Sequence, residues 1–157
     1  MARIEMNQRA PVFEVTDYLG NKISLKNYQG SYNVLLVFNR GFVWPFCQKH
    51  MMQLHQEKKE YDKRNTRIII VGPDNKEAFE RFFNTNNYTF IGLPDAKNSI
   101  LKTYGQEINI FKLGRMPAQV LIDKDGFARF VYYGHSMADI PENKDVLKII
   151  DEINKLN

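Results

Sequence analysis

The chain has 157 residues, of which 43% are hydrophobic and 25% are charged, ordinary proportions for a folded globular protein. A chain of this length forms about one domain and can bury a sizeable core without a disulfide or a metal. Its net charge is only +4, and the two signs are interspersed without a basic stripe, so nucleic-acid binding is not expected. We therefore expect a single domain that spans residues 1–157.

No segment of the sequence has the pattern of a membrane span or an export signal. The longest uninterrupted apolar run, residues 34–38, is far shorter than the roughly 20 residues of a membrane-spanning helix. The N-terminus has no apolar stretch typical of a signal peptide, because Glu5 interrupts it. The expectation is a cytoplasmic protein that does not contact a membrane.

Cysteine and histidine usage limits the chemistry of the chain. The one cysteine, Cys47, excludes an internal disulfide, a thiolate zinc cluster and an intramolecular pair of redox cysteines. The three histidines, His50, His55 and His135, are scattered and do not form a metal-binding pattern. No metal and no cofactor are expected.

The first part of the chain predicts a hairpin, a buried strand and a long helix. Residues 12–15 and 22–25 are strand-like and flank a Leu-Gly-Asn turn. Residues 34–38 form a short, continuously apolar run typical of a buried strand. Residues 46–63 contain no helix breaker and are rich in Gln, Lys, Glu, Met and Leu, which favours one long helix.

The middle of the chain continues the alternation. Residues 67–71 predict a second buried strand, followed by a helix at 76–83 that Asp74 or Asn75 could cap. Residues 90–93 form a weaker strand candidate, and 98–104 a short helix that ends at a glycine.

The last part predicts a hairpin and a closing helix. Strands at 119–122 and 127–133 are joined by an Asp-Lys-Asp-Gly turn, and residues 146–153 carry a helical apolar stripe. The whole order predicts an α/β fold: a central mixed β-sheet with helices on both faces and an N-terminal β-hairpin.

Residues 38–50 form the most informative segment, because they lead from a buried strand through a loop into a helix. Pro45 suits the first helical turn, which places Cys47 in that turn as well. Unpaired N–H groups and the helix dipole favour a thiolate there, at the sheet edge where α/β proteins bind ligands. The alternative is that Cys47 is a small buried hydrophobic residue.

Short motifs along the whole chain resemble those of one known family. They are Ala-Pro-Val-Phe at 10–13, Asp17, Gly20, Tyr-Gln-Gly at 28–30 and the run at 120–126. These motifs are similar to those of the peroxiredoxins, antioxidant peroxidases of the thioredoxin-fold superfamily. The resemblance implies that Cys47 is the redox-active cysteine, which attacks a peroxide and becomes a sulfenic acid.

The chain departs from the peroxiredoxin pattern at three positions. That family carries a proline seven residues before the cysteine and Ser or Thr three before it, where this chain has Arg40 and Trp44. The family's pocket arginine lies six residues before the aspartate of the late hairpin, where this chain has Pro117. Only Cys47 remains of the usual four residues.

Arg40-Gly41 followed by Pro45-Phe46-Cys47 resembles a peroxiredoxin-like branch whose loop reads Arg-Gly-x-x-Cys-Pro-x-Cys. In that branch the proline before the late strand is the cis proline of thioredoxin, and Trp44 stands where the first cysteine would be. The resemblance therefore implies a cis Met116–Pro117 peptide beside a site reduced to one thiol.

Several side chains could support this thiol. Arg40 or Arg115 could replace the missing arginine, although an ordinary surface residue is the simpler interpretation of each. Trp44, with Pro45 and Phe46, could line a slot for an organic hydroperoxide, or Trp44 could only shield the sulfur. His50 could pair with a thiolate, although a structural histidine is the simpler interpretation.

Three functions remain open at this point. The first is a thiol peroxidase for hydrogen peroxide or alkyl hydroperoxides, with a lowered Cys47 pKa. Because no second cysteine exists, its sulfenic acid would need an external thiol: thioredoxin, glutaredoxin or a low-molecular-weight thiol. The second is a one-thiol disulfide exchanger. The third is a non-catalytic binding module, for which an ordinary or raised Cys47 pKa is expected. The resemblance also suggests a homodimer.

Overall fold

The structure is a computed structural model that describes residues 3–109, 111 and 114–156. Its strands are β1 (Glu14–Thr16), β2 (Lys22–Ser24), β3 (Asn33–Phe38), β4 (Thr66–Gly72), β5 (Ile91–Pro94), β6 (Ile108–Asn109), β7 (Gly114–Arg115), β8 (Ala118–Ile122) and β9 (Ala128–Tyr133). Its α-helices are α1 (Pro45–Gln56), α2 (Lys58–Lys63), α3 (Lys76–Asn86), α4 (Ser99–Tyr104) and α5 (Asn143–Leu156). A 3-10 helix, Leu25–Tyr28, follows β2.

Five strands form the central mixed sheet, in the order β5-β4-β3-β8-β9. Strand β3 runs parallel to β4 and antiparallel to β8, while β4 is parallel to β5 and β8 is antiparallel to β9. Strands β1 and β2 form the expected N-terminal hairpin. The parallel strands need crossover connections, which α1 to α3 supply. The predicted mixed sheet is confirmed.

The sheet separates two apolar cores, because alternate side chains of a strand point to opposite faces. On one face, Leu35 and Val37 of β3 belong to a cluster with residues of α1, α2, α3 and α5. On the other face, Leu36 and Phe38 belong to a cluster with residues of α4 and the 3-10 helix. All six residues of β3 are buried. The predicted arrangement of helices on both faces is therefore confirmed.

The structure corrects two features of the predicted elements. The long helix expected at 46–63 is two helices, because Glu57 leaves the helical conformation at φ −102° and ψ 6°. The break allows Met51 and Leu54 of α1 and Tyr61 of α2 to be buried together against the sheet. The short β6–β7 pair was not predicted, since two-residue strands carry no periodic signal.

The turn after β4 confirms the predicted cap of α3 and distinguishes its two candidates. Asn75 is the N-cap residue, and its side chain accepts a hydrogen bond from the N–H of Ala78 at 2.9 Å. Asp74 is therefore available for a different contact, described below. None of the helices in the described residues combines the length and the apolar character of a membrane-spanning segment.

Candidate active site

Cys47 lies in the first turn of α1, directly after the loop that leaves β3. Pro45 is the first residue of this helix, as predicted, because a first-turn position needs no N–H donor. Trp44 is the N-cap residue and makes no side-chain capping bond. The Cys47 side chain is only 3% exposed, so the thiol lies beneath the protein surface.

Burial and local hydrogen bonds have opposite effects on the Cys47 thiol. Burial raises its pKa, and this is the largest effect; the nearby Asp74 carboxylate raises it further. The main-chain N–H groups of Arg40 and Gly41 and the charge of Arg40 act in the lowering direction. The hydrogen bond of the Gly41 N–H itself goes to the Asn39 side chain, at 2.6 Å. The net pKa is above the ordinary value, so the expectation of a lowered pKa is wrong for this conformation. Desolvation outweighs the donors because it disfavours any buried charge.

Arg40 is part of the thiol site and not a surface residue. Its side chain is 4% exposed, and its Nε donates a hydrogen bond to the carbonyl oxygen of Arg115 at 2.7 Å. The guanidinium carbon lies 4.3 Å from the ring centre of Trp44, a cation–π contact. Burial lowers the pKa of Arg40, while its interaction with Cys47 raises it. The structure therefore places a buried cation beside the thiol.

Arg115 has a different position and different partners. Its side chain is 6% exposed and donates to the Asp95 carbonyl oxygen at 2.7 Å and to the Asn98 side chain. The Asp95 carboxylate lies 3.9 Å from it and also accepts N–H groups at the start of α4. Arg115 thus anchors α4 with its side chain and holds Arg40 with its carbonyl oxygen. Its surface interpretation is wrong, because the side chain is buried against Asp95 and Asn98.

The Met116–Pro117 peptide is trans, because no peptide bond in the described residues is cis. Met116 donates its N–H to Glu107 at 2.8 Å, and the Pro117 carbonyl oxygen accepts from Gly134 at 2.8 Å. These bonds hold the chain extended into β8, where an entering proline needs no N–H partner. The expected cis proline is therefore wrong for this chain.

His50 lies on α1, one turn after Cys47, and is buried. Its Nε2 lies 3.1 Å from the Gln119 side-chain nitrogen of β8, which makes it a hydrogen-bond acceptor in the neutral form. Burial lowers the pKa of His50 from 6.5 to about 4. A neutral imidazole cannot form an ion pair with a thiolate, so the structural interpretation of His50 is favoured.

The low pKa of His50 predicts a loss of stability in acid. The unfolded chain takes up this proton near pH 6.5, whereas the folded chain resists it down to about pH 4. The free energy of unfolding should therefore fall by about 3 kcal/mol between these two pH values. Urea denaturation at several pH values would measure it, with His50→Gln as the reference that removes the titration. An equal slope in both proteins would contradict this prediction.

Sequence reasoning named Asp74 and Gly41 but did not predict how they shape the loop around Cys47. The N–H of Phe42 donates to the Asp74 carboxylate at 3.0 Å, which joins the loop to the end of β4. Gly41 adopts φ 138°, a conformation that L side chains rarely take. The signal for Asp74 was present, because the carboxyl ends of parallel strands β3 and β4 meet at one edge.

Two surface clefts flank this loop. One has a volume of about 270 Å³ and is lined by Phe42, Val43, Phe82, Arg81 and Asp74, among others. The other, about 240 Å³, lies between α1 and the segment after β9, with Phe46 and His50 on its α1 side. Val43 and Phe46 are 78% and 46% exposed, so both clefts have an apolar rim near the thiol.

The five-stranded mixed sheet, with the thiol in the first turn of the helix that follows β3, is a thioredoxin-like fold. Residues 6–131 match the AhpC/TSA family, and the chain therefore belongs to that family. The predicted peroxiredoxin-like relationship is confirmed.

Individual relatives are of two kinds. The chain is 32% identical over 125 residues to the thiol-disulfide oxidoreductase ResA of Bacillus thuringiensis (strain Al Hakam), with 79% of this chain and 67% of that protein covered. It is 26% identical over 132 residues to peroxiredoxin Bcp of Bacillus subtilis (strain 168), with 78% and 81% covered. The first is thus named a thiol-disulfide oxidoreductase and the second a peroxiredoxin.

A solved structure confirms the thioredoxin-like fold. The crystal structure of peroxidoxin BcpB from Mycobacterium tuberculosis is similar with a TM-score of 0.84, over 96% of this chain and 99% of that chain. Its sequence identity is 18%, so the similarity concerns the fold alone.

Proposed function

We propose that the protein is a thiol-dependent peroxidase that reduces hydrogen peroxide or alkyl hydroperoxides through Cys47. One observation carries the proposal: the guanidinium of Arg40 is buried, lies over the ring of Trp44, and favours ionisation of the only thiol of the chain. A cation and N–H donors at a sulfur suit a reaction in which negative charge develops on a leaving oxygen. Arg40 would thus replace the arginine that the family carries at the position of Pro117.

The proposed reaction needs no cofactor. The Cys47 thiolate attacks one peroxide oxygen, the S–O bond forms as the O–O bond breaks, and the leaving oxygen takes a proton to give water or an alcohol. Cys47 is then a sulfenic acid. An external thiol condenses with the sulfenic acid to give a mixed disulfide and water. A second external thiol then attacks the mixed disulfide, which releases the Cys47 thiol and joins the two external thiols in a disulfide.

The raised pKa of the resting thiol sets a requirement for this mechanism. The thiol must lose its proton before it attacks, since the thiolate is the nucleophile. Arg40 and the N–H groups of the loop favour the ionised form, and burial opposes it. The reaction rate should therefore increase with pH across the neutral range, as the thiolate fraction increases.

Two similarities support a one-thiol disulfide exchanger as the second candidate. The 32% identical relative is named a thiol-disulfide oxidoreductase. Trp44 also occupies the position at which the related loop carries its first cysteine. Such an exchanger would form mixed disulfides at Cys47 and react slowly with peroxide.

Trp44 provides the test of the proposed function, because it is the only tryptophan and stacks on Arg40 beside the thiol. Reduced protein would be mixed with hydrogen peroxide, and separately with an organic hydroperoxide, in a stopped-flow fluorimeter. We expect a fluorescence step faster than the oxidation of free cysteine at the same pH. A rate no better than that of free cysteine, with rapid formation of a mixed disulfide from an added disulfide, would establish the exchanger. If neither reaction is fast, the protein is a non-catalytic module.

The partners follow from the proposed chemistry. They are a peroxide and an external thiol, which would be thioredoxin, glutaredoxin or a low-molecular-weight thiol. The apolar rim formed by Val43 and Phe46 is where a thiol partner would approach. A homodimer and a cytoplasmic location stay predictions.

A further inference from the structure

Asp74 occupies a place in the site that neither the thiol chemistry nor the cap of α3 explains. It follows β4 and precedes Asn75, which already caps α3. Its Oδ2 accepts the N–H of Phe42 at 3.0 Å, and a Cβ at Gly41 would lie 3.8 Å from the same oxygen. The carboxylate therefore lies against the Gly41–Phe42 turn, which directly follows Arg40 and leads into α1 and Cys47.

The side chain of Phe42 reinforces this connection. Its ring stacks on Phe82 with ring centres 4.4 Å apart and meets Phe79 edge-on at 4.7 Å. Both partners belong to α3, the helix that begins after Asp74. The loop is thus attached to the start of α3 twice, by its main chain at Asp74 and by an aromatic side chain.

We propose that Asp74 is a positioning residue of the thiol site: its carboxylate fixes the Gly41–Phe42 turn beside Cys47, and its negative charge opposes that of the Arg40 cation. The proposal rests on and deepens the proposed function, because it assigns a role in the same site. It does not depend on the identity of the oxidant.

The charged groups around the sulfur support this role. Arg40 from the loop favours the thiolate, whereas Asp74 raises the pKa of Cys47. Asp74 also raises the pKa of Arg115, which lies before β8, so its field extends across the site. His50 of α1 is neutral above about pH 4. Arg81 of α3 lines the same cleft as Asp74.

Asp74→Asn separates the charge of this side chain from its hydrogen bond, because asparagine keeps an acceptor oxygen of the same shape. The readout is the rate of Cys47 alkylation by iodoacetamide as a function of pH, which reports ionisation of the thiol without peroxide. We expect the midpoint to fall by about half a unit and alkylation at pH 7 to become about threefold faster. An unchanged or higher midpoint would overturn the role of the charge.

Asp74→Ala removes both functions and tests the fixing of the turn. We expect it to change the fluorescence of Trp44 and to lower the midpoint less than Asp74→Asn does, because the turn that follows Arg40 is no longer fixed and the Arg40 cation is then held less firmly beside the sulfur. Identical results for the two variants would overturn the positioning role. If Asp74→Ala does not fold, Asp74→Glu replaces it, because glutamate keeps the charge and moves the carboxylate by one methylene. An alkylation midpoint and a Trp44 fluorescence equal to those of the wild type would then overturn the positioning role.

Glu77→Gln is the matched control, since Glu77 is an exposed carboxylate in the first turn of the same helix. It should leave the alkylation profile unchanged, and a shift equal to that of Asp74→Asn would overturn a specific role for Asp74. The result is distinguishable from failure of the proposed function. A protein inert to peroxide that still shows the Asp74→Asn shift would refute the peroxidase and retain this inference.

Discussion

Cys47→Ser is expected to abolish the reaction of the protein with peroxide. Cys47 is the only cysteine of the chain, so no other side chain can form a sulfenic acid or a disulfide. A serine hydroxyl fits the same buried volume but does not ionise at neutral pH. Stopped-flow fluorescence of Trp44, with mass spectrometry of the product trapped by dimedone, would measure the loss.

The single thiol also determines what the wild-type protein accumulates. Without an external thiol, we expect peroxide to produce one sulfenic acid per chain and no intramolecular disulfide. With one equivalent of an external thiol, we expect a mixed disulfide at Cys47. The thermal unfolding midpoint of Cys47→Ser is the control for folding. Residual peroxide reduction by the folded variant at the wild-type rate would contradict the assignment of Cys47 as the nucleophile.

Arg40→Met is expected to slow sulfenic acid formation by about a hundredfold, the usual effect of removing one donor that stabilises a developing oxyanion. Methionine keeps an apolar stem beneath Trp44 and removes the charge that favours the thiolate. The pH dependence of the rate should move to higher pH, because burial of the sulfur then acts with less opposition. Rapid mixing at several pH values would separate a lower maximal rate from a shifted midpoint.

Two variants make this result specific. Arg40→Lys keeps the charge but cannot reproduce the hydrogen bond from Nε to the Arg115 carbonyl oxygen, so an intermediate rate is expected. Arg81→Met removes an exposed arginine from the neighbouring cleft and should leave the rate unchanged. The proposal fails if Arg40→Met reacts as fast as the wild type, or if Arg81→Met is equally slow.

The elements near the site show how far the sequence pattern extends. The apolar run at β3 and the turn residues around Pro45 determine a buried strand, a loop and a helix start, all of which the structure contains. These signals are local, since they depend on neighbouring residues and on backbone preferences. No helix-breaking residue marks the break between α1 and α2 at Glu57. The break is decided instead by the packing of Tyr61 against the sheet.

The candidate site shows the complementary limit. The position of Cys47 at the start of α1 follows from the sequence, as do the family relationship and the absence of a resolving cysteine. Three features of the site do not follow from the sequence: the burial of Arg40, the position of Arg115 at Asp95 and the trans Met116–Pro117 bond. Each depends on contacts between residues far apart in the chain, such as the bond from Arg40 to Arg115.

The sequence by itself thus determined the thioredoxin-like fold, the presence of a single thiol and the place of that thiol on the fold. Only the tertiary structure decided the acidity of the thiol and the residues that control it. The physical reason is that the pKa of a buried group depends on desolvation and on charges brought close by folding. Asp74 and Arg40 are 34 positions apart in the chain, and the ends of two parallel strands bring both of them to Cys47.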